Sequence, residues 1–144
     1  MVETLILSSF PKTDQAKAEL RNPSVIIPFG DDMIYLLKEP VSSAQSKEML
    51  QEYKGMIKIV VDIRRRILAG GGEMHSDCEI VLLGNGSEQD DLWGANWYPA
   101  EQRIEFEALI NIRPHRGNRN ILIQDEAIRR QVESITREIL GGVQ

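Results

Sequence analysis

A single cysteine in 144 residues leaves no partner for an internal disulfide, so a packed core must hold this chain together. The same scarcity suits a reducing compartment and makes the cytoplasm the expected location. Two histidines, His75 and His115, are too few for a dedicated zinc module with four ligands. No apolar run nears the ~20 residues that cross a bilayer. The N-terminus also lacks the basic start, apolar stretch and small-residue cleavage site of a secretory signal, so no membrane association is expected. Basic charge is short as well: 17 Lys and Arg stand against 22 Asp and Glu, a net charge of −5. That balance disfavours nucleic acid as a general partner, because phosphate binding depends on clustered cations. Aromatic residues make up only 6% of the chain, which sets apart the run that holds both tryptophans, Trp93 and Trp97.

What is present reads as alternating strands and helices. Ile128, Val132, Ile135 and Ile139 recur at helical spacing, with Arg129, Arg130, Glu133 and Arg137 on other faces, and predict a C-terminal amphipathic helix. Asp125 is its expected N-cap and Gly141-Gly142 its stop. Ile104, Phe106, Ala108, Ile110 and Ile112 alternate with polar neighbours, the period of a half-buried strand that Pro114 ends. Asp91 to Tyr98 and the short connection Pro99 to Gln102 place a second strand against it as a hairpin, in which Gly94 marks a bulge or a close approach to the backbone. Met56 to Asp62 reads as a strand apolar on nearly both faces, turning through Arg64-Arg65 into Ile67-Leu68-Ala69, which Gly70-Gly71-Gly72 breaks. Met74 to Leu83 fits a helix better than a strand, with Asn85-Gly86 as its stop.

Further upstream, Ser42 to Gln45 resembles a capping box opening a short helix with Leu50 and Tyr53 on its apolar edge, and Met33 to Lys38 reads as a strand. Residues 1–31 differ, with Pro11, Pro23 and Pro28 punctuating the patches Leu5-Ile6-Leu7 and Val25-Ile26-Ile27. They are expected to form an N-terminal extension to a single domain spanning 32–144. The sum is an α+β fold: a mostly antiparallel sheet with helices packed on one face and the amphipathic helix last.

Several strings together carry a resemblance: Val60-Val61-Asp62, Ile67 to Gly71, Glu73-Met74-His75-Ser76-Asp77, Leu92 to Pro99, Leu109 to Pro114 and Asn118-Arg119. On these the chain resembles an uncharacterised bacterial family of small proteins known only as a domain of unknown function, over roughly residues 32–141. The resemblance implies one continuous domain and supplies no activity, cofactor or catalytic residue.

Chemistry must then be sought in the residues. Glu73, His75, Asp77, Cys78 and Glu79 lie within seven positions and are all of metal-ligating type; Asp62, at the end of an apolar strand, and His115 could join them if the fold allows. The candidate polar site is therefore Asp62, Glu73, His75, Asp77 and Cys78, with Trp93, Asn96 and Arg113 as candidate ligand contacts. The competing reading makes Cys78 a small buried hydrophobe and the acids a solvated first turn. Gly70-Gly71-Gly72 lacks the spacing of a P-loop or dinucleotide fingerprint, and no nucleophile elbow occurs. Arg64-Arg65-Arg66 and the run Arg113 to Arg119 are the two basic clusters. Three functional classes follow: a binding or self-associating module, expected as a homo-oligomer with room for a small-molecule ligand; a metal-assisted or acid-base enzyme; and an RNA-binding accessory protein.

Overall fold

Four of the five residues from Ile57 to Val61 are apolar, and a strand of that kind needs cover on both of its faces. The computed structural model, which describes residues 5–6, 25–52 and 55–142, shows how the chain supplies it. In chain order the elements are β1 (Leu5–Ile6), β2 (Val25–Phe29), β3 (Asp32–Leu37), α1 (Ser43–Glu52), β4 (Ile57–Asp62), β5 (Ile67–Gly71), α2 (His75–Gly84), β6 (Leu92–Tyr98), β7 (Arg103–Glu105) and α3 (Glu126–Leu140). The strands form one sheet in the order β1-β2-β3-β5-β4-β6-β7. Among the described strands β1 and β2 run parallel, and every other neighbouring pair is antiparallel. The class is α+β, and the last helix is the amphipathic one read from the sequence.

On one face of the sheet, Tyr35, Leu37, Ile57, Ile59, Val61, Leu68, Trp93 and Trp97 meet Met49 of α1 and Val132, Ile135 and Ile139 of α3. On the other, Ile34, Leu36, Val60, Ile67 and Ala69 meet Cys78, Val81 and Leu82 of α2. The expected packing of helices on one face is thereby corrected: α2 lies across the sheet from α1 and α3. Strand alternation turns Val60 and Ile67 away from α3, and burying a side chain of that size stabilises by about 1.5–3 kcal/mol.

Local signals account for the element ends. Ser42 and Gln45 form the capping box, the Ser42 N–H donating to Gln45 Oε1 (2.8 Å) and the Gln45 N–H to Ser42 Oγ (3.2 Å). Asp125 caps α3 by accepting from the N–H of Ala127 at 2.8 Å and of Ile128 at 3.3 Å. β5 runs two residues further into the triple glycine than expected. Gly70 admits Met49 so closely that a Cβ there would lie 3.1 Å from its Cε, and Gly72, at φ +78°, then turns the chain into α2.

The long strand expected through Ile112 is also corrected, because β7 stops at Glu105. Ala108 and Ile110 instead close over Gly94, where a Cβ would come within 2.5 Å of Ala108 Cβ. In place of a neighbouring strand, the Asn111 carboxamide takes up the edge of β6: the Gly94 N–H donates to Oδ1 (2.8 Å), and Nδ2 donates to Gly94 O (2.9 Å). Val25–Phe29, grouped by sequence with the N-terminal extension, forms β2 inside the sheet. Leu7, Pro11, Pro23, Tyr53 and the side chain of Leu50 lie outside the described residues. Among the described residues no helix is long and apolar enough to cross a membrane.

Candidate functional site

Asp62 ends β4 fully buried, and its carboxylate is used in building the turn that follows. Oδ1 accepts from the backbone N–H of Arg64 (3.0 Å) and Arg65 (2.9 Å), while Ser87 donates its hydroxyl to Oδ2 (2.6 Å). Arg65 in turn donates to Ser87 Oγ and Asn85 Oδ1, tying this turn to the C-terminal end of α2. His75 begins the same helix about 14 Å away, at 1.5 Å per residue. The structure therefore does not bring Asp62 and His75 together.

Around His75 the expected cluster disperses. Glu73 is exposed, and its carbonyl accepts from Lys58 Nζ. Asp77 sits in the first turn of α2, where it complements the helix dipole. Cys78 is buried with its thiol donating to Gly71 O at 3.0 Å; burial pushes the thiol's pKa far up and keeps it protonated. Glu79 turns away to pair with Arg113 at 3.2 Å. Among the described residues no three His, Cys, Asp or Glu side chains gather where they could hold a metal ion.

His75 does engage Asn96. Its Nε2 lies 2.9 Å from both Ala95 O and Asn96 Oδ1. The amide orientation follows from the other end of Asn96, whose Nδ2 donates to Glu105 Oε1 (2.9 Å) and Glu107 O (3.4 Å). Both partners of His75 are then acceptors, so Nε2 carries the proton and the neutral ring keeps its lone pair on Nδ1. Burial lowers the pKa of His75 and the Lys58 charge adds to this, against the two hydrogen bonds, which raise it. The ring lines an apolar groove of about 370 Å³ with Lys58, Met74, Ser76, Leu109 and Ile110. Its chemical capacity is to take a proton on Nδ1.

Trp93 and Arg113 form a second constellation. The Arg113 guanidinium lies 4.9 Å from the centroid of the Trp93 ring and both side chains are buried, 4% and 1% exposed. Burial lowers the Arg113 pKa, with Glu79 opposing. Beside them the segment from Glu107 to Gln124 is locked by Asn118, whose Nδ2 donates to the carbonyls of Asn111, Asn120 and Leu122 while its Oδ1 accepts from Gln124 N–H. Asn111 and Asn118 stood inside the motif strings without being singled out. An Asn that mimics a peptide group across a strand edge has no periodic signature; Gly94 was the available clue.

The other feature missed is the outer side of α2. Beyond its buried stripe the helix exposes Ile80 (52%) and Leu83, while Met74 (54%) and Leu109 (72%) line the His75 groove beside its first turn. A groove of about 270 Å³ between Ile27, Phe29, Ile80 and Val81 flanks the helix on the β2 side. The signal was present in the sequence, since Cys78, Ile80, Val81, Leu82 and Leu83 cover more of a helix than one stripe. The basic clusters, by contrast, are occupied internally: Arg64 pairs with Asp91, Arg66 with Glu138, Arg113 with Glu79 and Arg116 with Asp90.

No curated protein and no solved structure matches the chain. The family described as Protein of unknown function (DUF5674) matches residues 35–139, from β3 to the end of α3, and the chain belongs to that family.

Proposed function

We propose that the protein is a self-associating binding module whose α2 face meets the same face of a second copy. The observation that carries this reading is a helix apolar on both sides. Cys78, Val81 and Leu82 enter the core while Ile80 and Leu83 face outward, so after the polar Ser76, Asp77 and Glu79 the C-terminal half of the helix is apolar beyond its buried stripe. Isolated exposed apolar residues are unremarkable, but here Met74 and Leu109 line one groove beside the helix and Ile80 lines another.

A second copy is the occupant favoured by charge and shape. The chain carries a net charge of −5, yet on this face Glu79 is neutralised by Arg113 and the Lys58 ammonium, held at the Glu73 carbonyl, offsets one of the acids Glu73 and Asp77. With one acid in excess, two such faces meet with little of the repulsion that a net charge of −5 imposes between whole chains. Each face also has both protrusions (Ile80, Leu83, Leu109) and recesses (the two flanking grooves), which is what an isologous two-fold contact requires.

Sedimentation velocity over a hundredfold concentration range tests the reading. The expected result is twice the chain mass for the native protein and a shift to monomer for Ile80→Glu with Leu83→Glu. Both positions are solvent-exposed, so unchanged circular dichroism is expected to show that the variant folds. A native chain that sediments as a monomer throughout overturns the proposal. The arrangement around His75, with a free Nδ1 and Lys58 in an apolar groove, supports acid-base chemistry as the second reading.

A further inference from the structure

We propose that the His75 groove is a proton-transfer site for a neutral carbonyl compound of apolar body, in which His75 Nδ1 removes a proton from the carbon beside the carbonyl and Lys58 stabilises the enolate oxygen. Acid-base chemistry at His75 is the reading on which this rests. A row of polar side chains crosses the sheet beneath the ring: Lys58 of β4 is the register partner of Asn96 of β6, and Asn96 that of Glu105 of β7. Residues opposite one another on neighbouring strands share a face, so His75, reaching Asn96 Oδ1 from α2, meets this row at its centre. Asn96 Nδ2 donates to Glu105 Oε1, which joins a carboxylate, an amide and an imidazole in series. That series positions the ring. It holds the proton on Nε2, leaves Nδ1 without a partner among the described residues, and stabilises the imidazolium once Nδ1 is protonated.

The other groups of the groove decide the chemistry. Lys58 gives one ammonium hydrogen to the Glu73 carbonyl and keeps two, enough to meet a carbonyl oxygen. Glu73 and Asp77, either side of His75 in the chain, disfavour a substrate that is itself an anion. Met74, Leu109 and Ile110 supply apolar wall in a space of about 370 Å³. Among the described residues no hydrogen bond joins Ser76 to His75, and the buried Cys78 thiol is held on Gly71 O, so the base lacks the oriented side-chain nucleophile of a covalent acyl-transfer site. Proton abstraction needs none. The C–H electron pair becomes the C=C bond, the carbonyl π pair moves onto the oxygen that Lys58 meets, and the imidazolium returns its proton to carbon, so the step balances without oxidant or reductant.

The test is deuterium exchange into the benzylic carbon of phenylacetone, followed by proton NMR in D₂O at neutral pH. It uses the full native chain and Ile80→Glu with Leu83→Glu, so that a second copy seated on α2 does not hide the groove. The expected result, in one or both chains, is saturable exchange about a hundredfold faster than with free imidazole at the same concentration. His75→Gln and Lys58→Met are each expected to slow it by about tenfold or more, and His115→Gln, at an exposed side chain beside Asp90, to leave it unchanged. Nitrogen-15 shifts of the His75 imidazole separate failure of the substrate class from failure of the base. Exchange no faster than with free imidazole in either chain, or undiminished by His75→Gln, overturns the carbonyl substrate; a proton on Nδ1 of the neutral ring overturns the base as well.

Discussion

Replacing Asn111 by aspartate preserves the shape of the side chain and reverses half of its hydrogen bonding. Asn111 is fully buried; its Oδ1 accepts from Gly94 N–H at 2.8 Å, and its Nδ2 donates to Gly94 O at 2.9 Å and to Ile121 O at 3.0 Å. In Asn111→Asp the first bond survives, while two carbonyl oxygens face a carboxylate oxygen. Leaving a buried acceptor unpaired costs about 1–3 kcal/mol, so the two carbonyls together cost about 4 kcal/mol at neutral pH. With a urea slope near 2 kcal/mol/M, the midpoint of unfolding falls by about 2 M. Burial and the facing carbonyls raise the folded pKa of the new carboxyl above its unfolded value of about 3.9. A raised pKa contributes stability that is full below the unfolded value and lost as pH rises through the folded one. The deficit relative to the native chain is therefore smallest near pH 4 and levels off once the folded carboxyl has ionised. Both tryptophans are buried, so urea titrations followed by their fluorescence at pH 4 and pH 7.5 read the effect directly, with Asn111→Ala as the variant whose loss does not vary with pH. A midpoint change below about 0.5 M, or a deficit equal at the two pH values, refutes the reasoning.

His75 is expected to titrate below its ordinary value of 6.5, as measured by the imidazole proton shifts. Because a depressed folded pKa gives stability that is present above the unfolded value and lost as pH falls through the folded one, the native chain loses stability from about pH 6.5 downward, and His75→Gln has a shallower slope in the same urea series. Cys78, buried and bonded to Gly71 O, is expected to resist a disulfide-exchange reagent in the native state and to react stoichiometrically in denaturant. Rapid modification of the folded chain would contradict that burial.

Much of the fold was legible wherever the signal is local. The amphipathic stripe Ile128, Val132, Ile135 and Ile139, the Ser42–Gln45 box, the β6–β7 hairpin and the close approach at Gly94 each depend on a few consecutive residues. The errors lie where a distant partner decides. Alternation from Ile104 to Ile112 is a faithful strand pattern, yet pairing ends at Glu105 because Ala108 and Ile110 find a better surface over Gly94 and Asn111 replaces the missing strand. The side of the sheet on which α2 packs is likewise fixed by tertiary contact, which periodicity does not encode. For the candidate site, residue type was a poor guide to role. Asp62 and Cys78 are of metal-ligating type, yet in the fold Asp62 builds a turn and Cys78 fills a core, as the competing reading of a small buried hydrophobe has it.

Whether a buried polar group finds its partners says more about its role than its residue type does. Asp62, Asn111 and Asn118 are buried, and every side-chain atom that can donate or accept has a partner. Such groups fix one geometry, because disturbing any of them leaves a partner unpaired in a low-dielectric interior. Arg113 differs in having its two ends treated unequally. Glu79 holds Nη2 from the α2 side, and Nη1 has no acceptor. A guanidinium held along one edge by a carboxylate keeps a fixed orientation, and the energetic cost of its unpaired edge falls on the interior around Trp93.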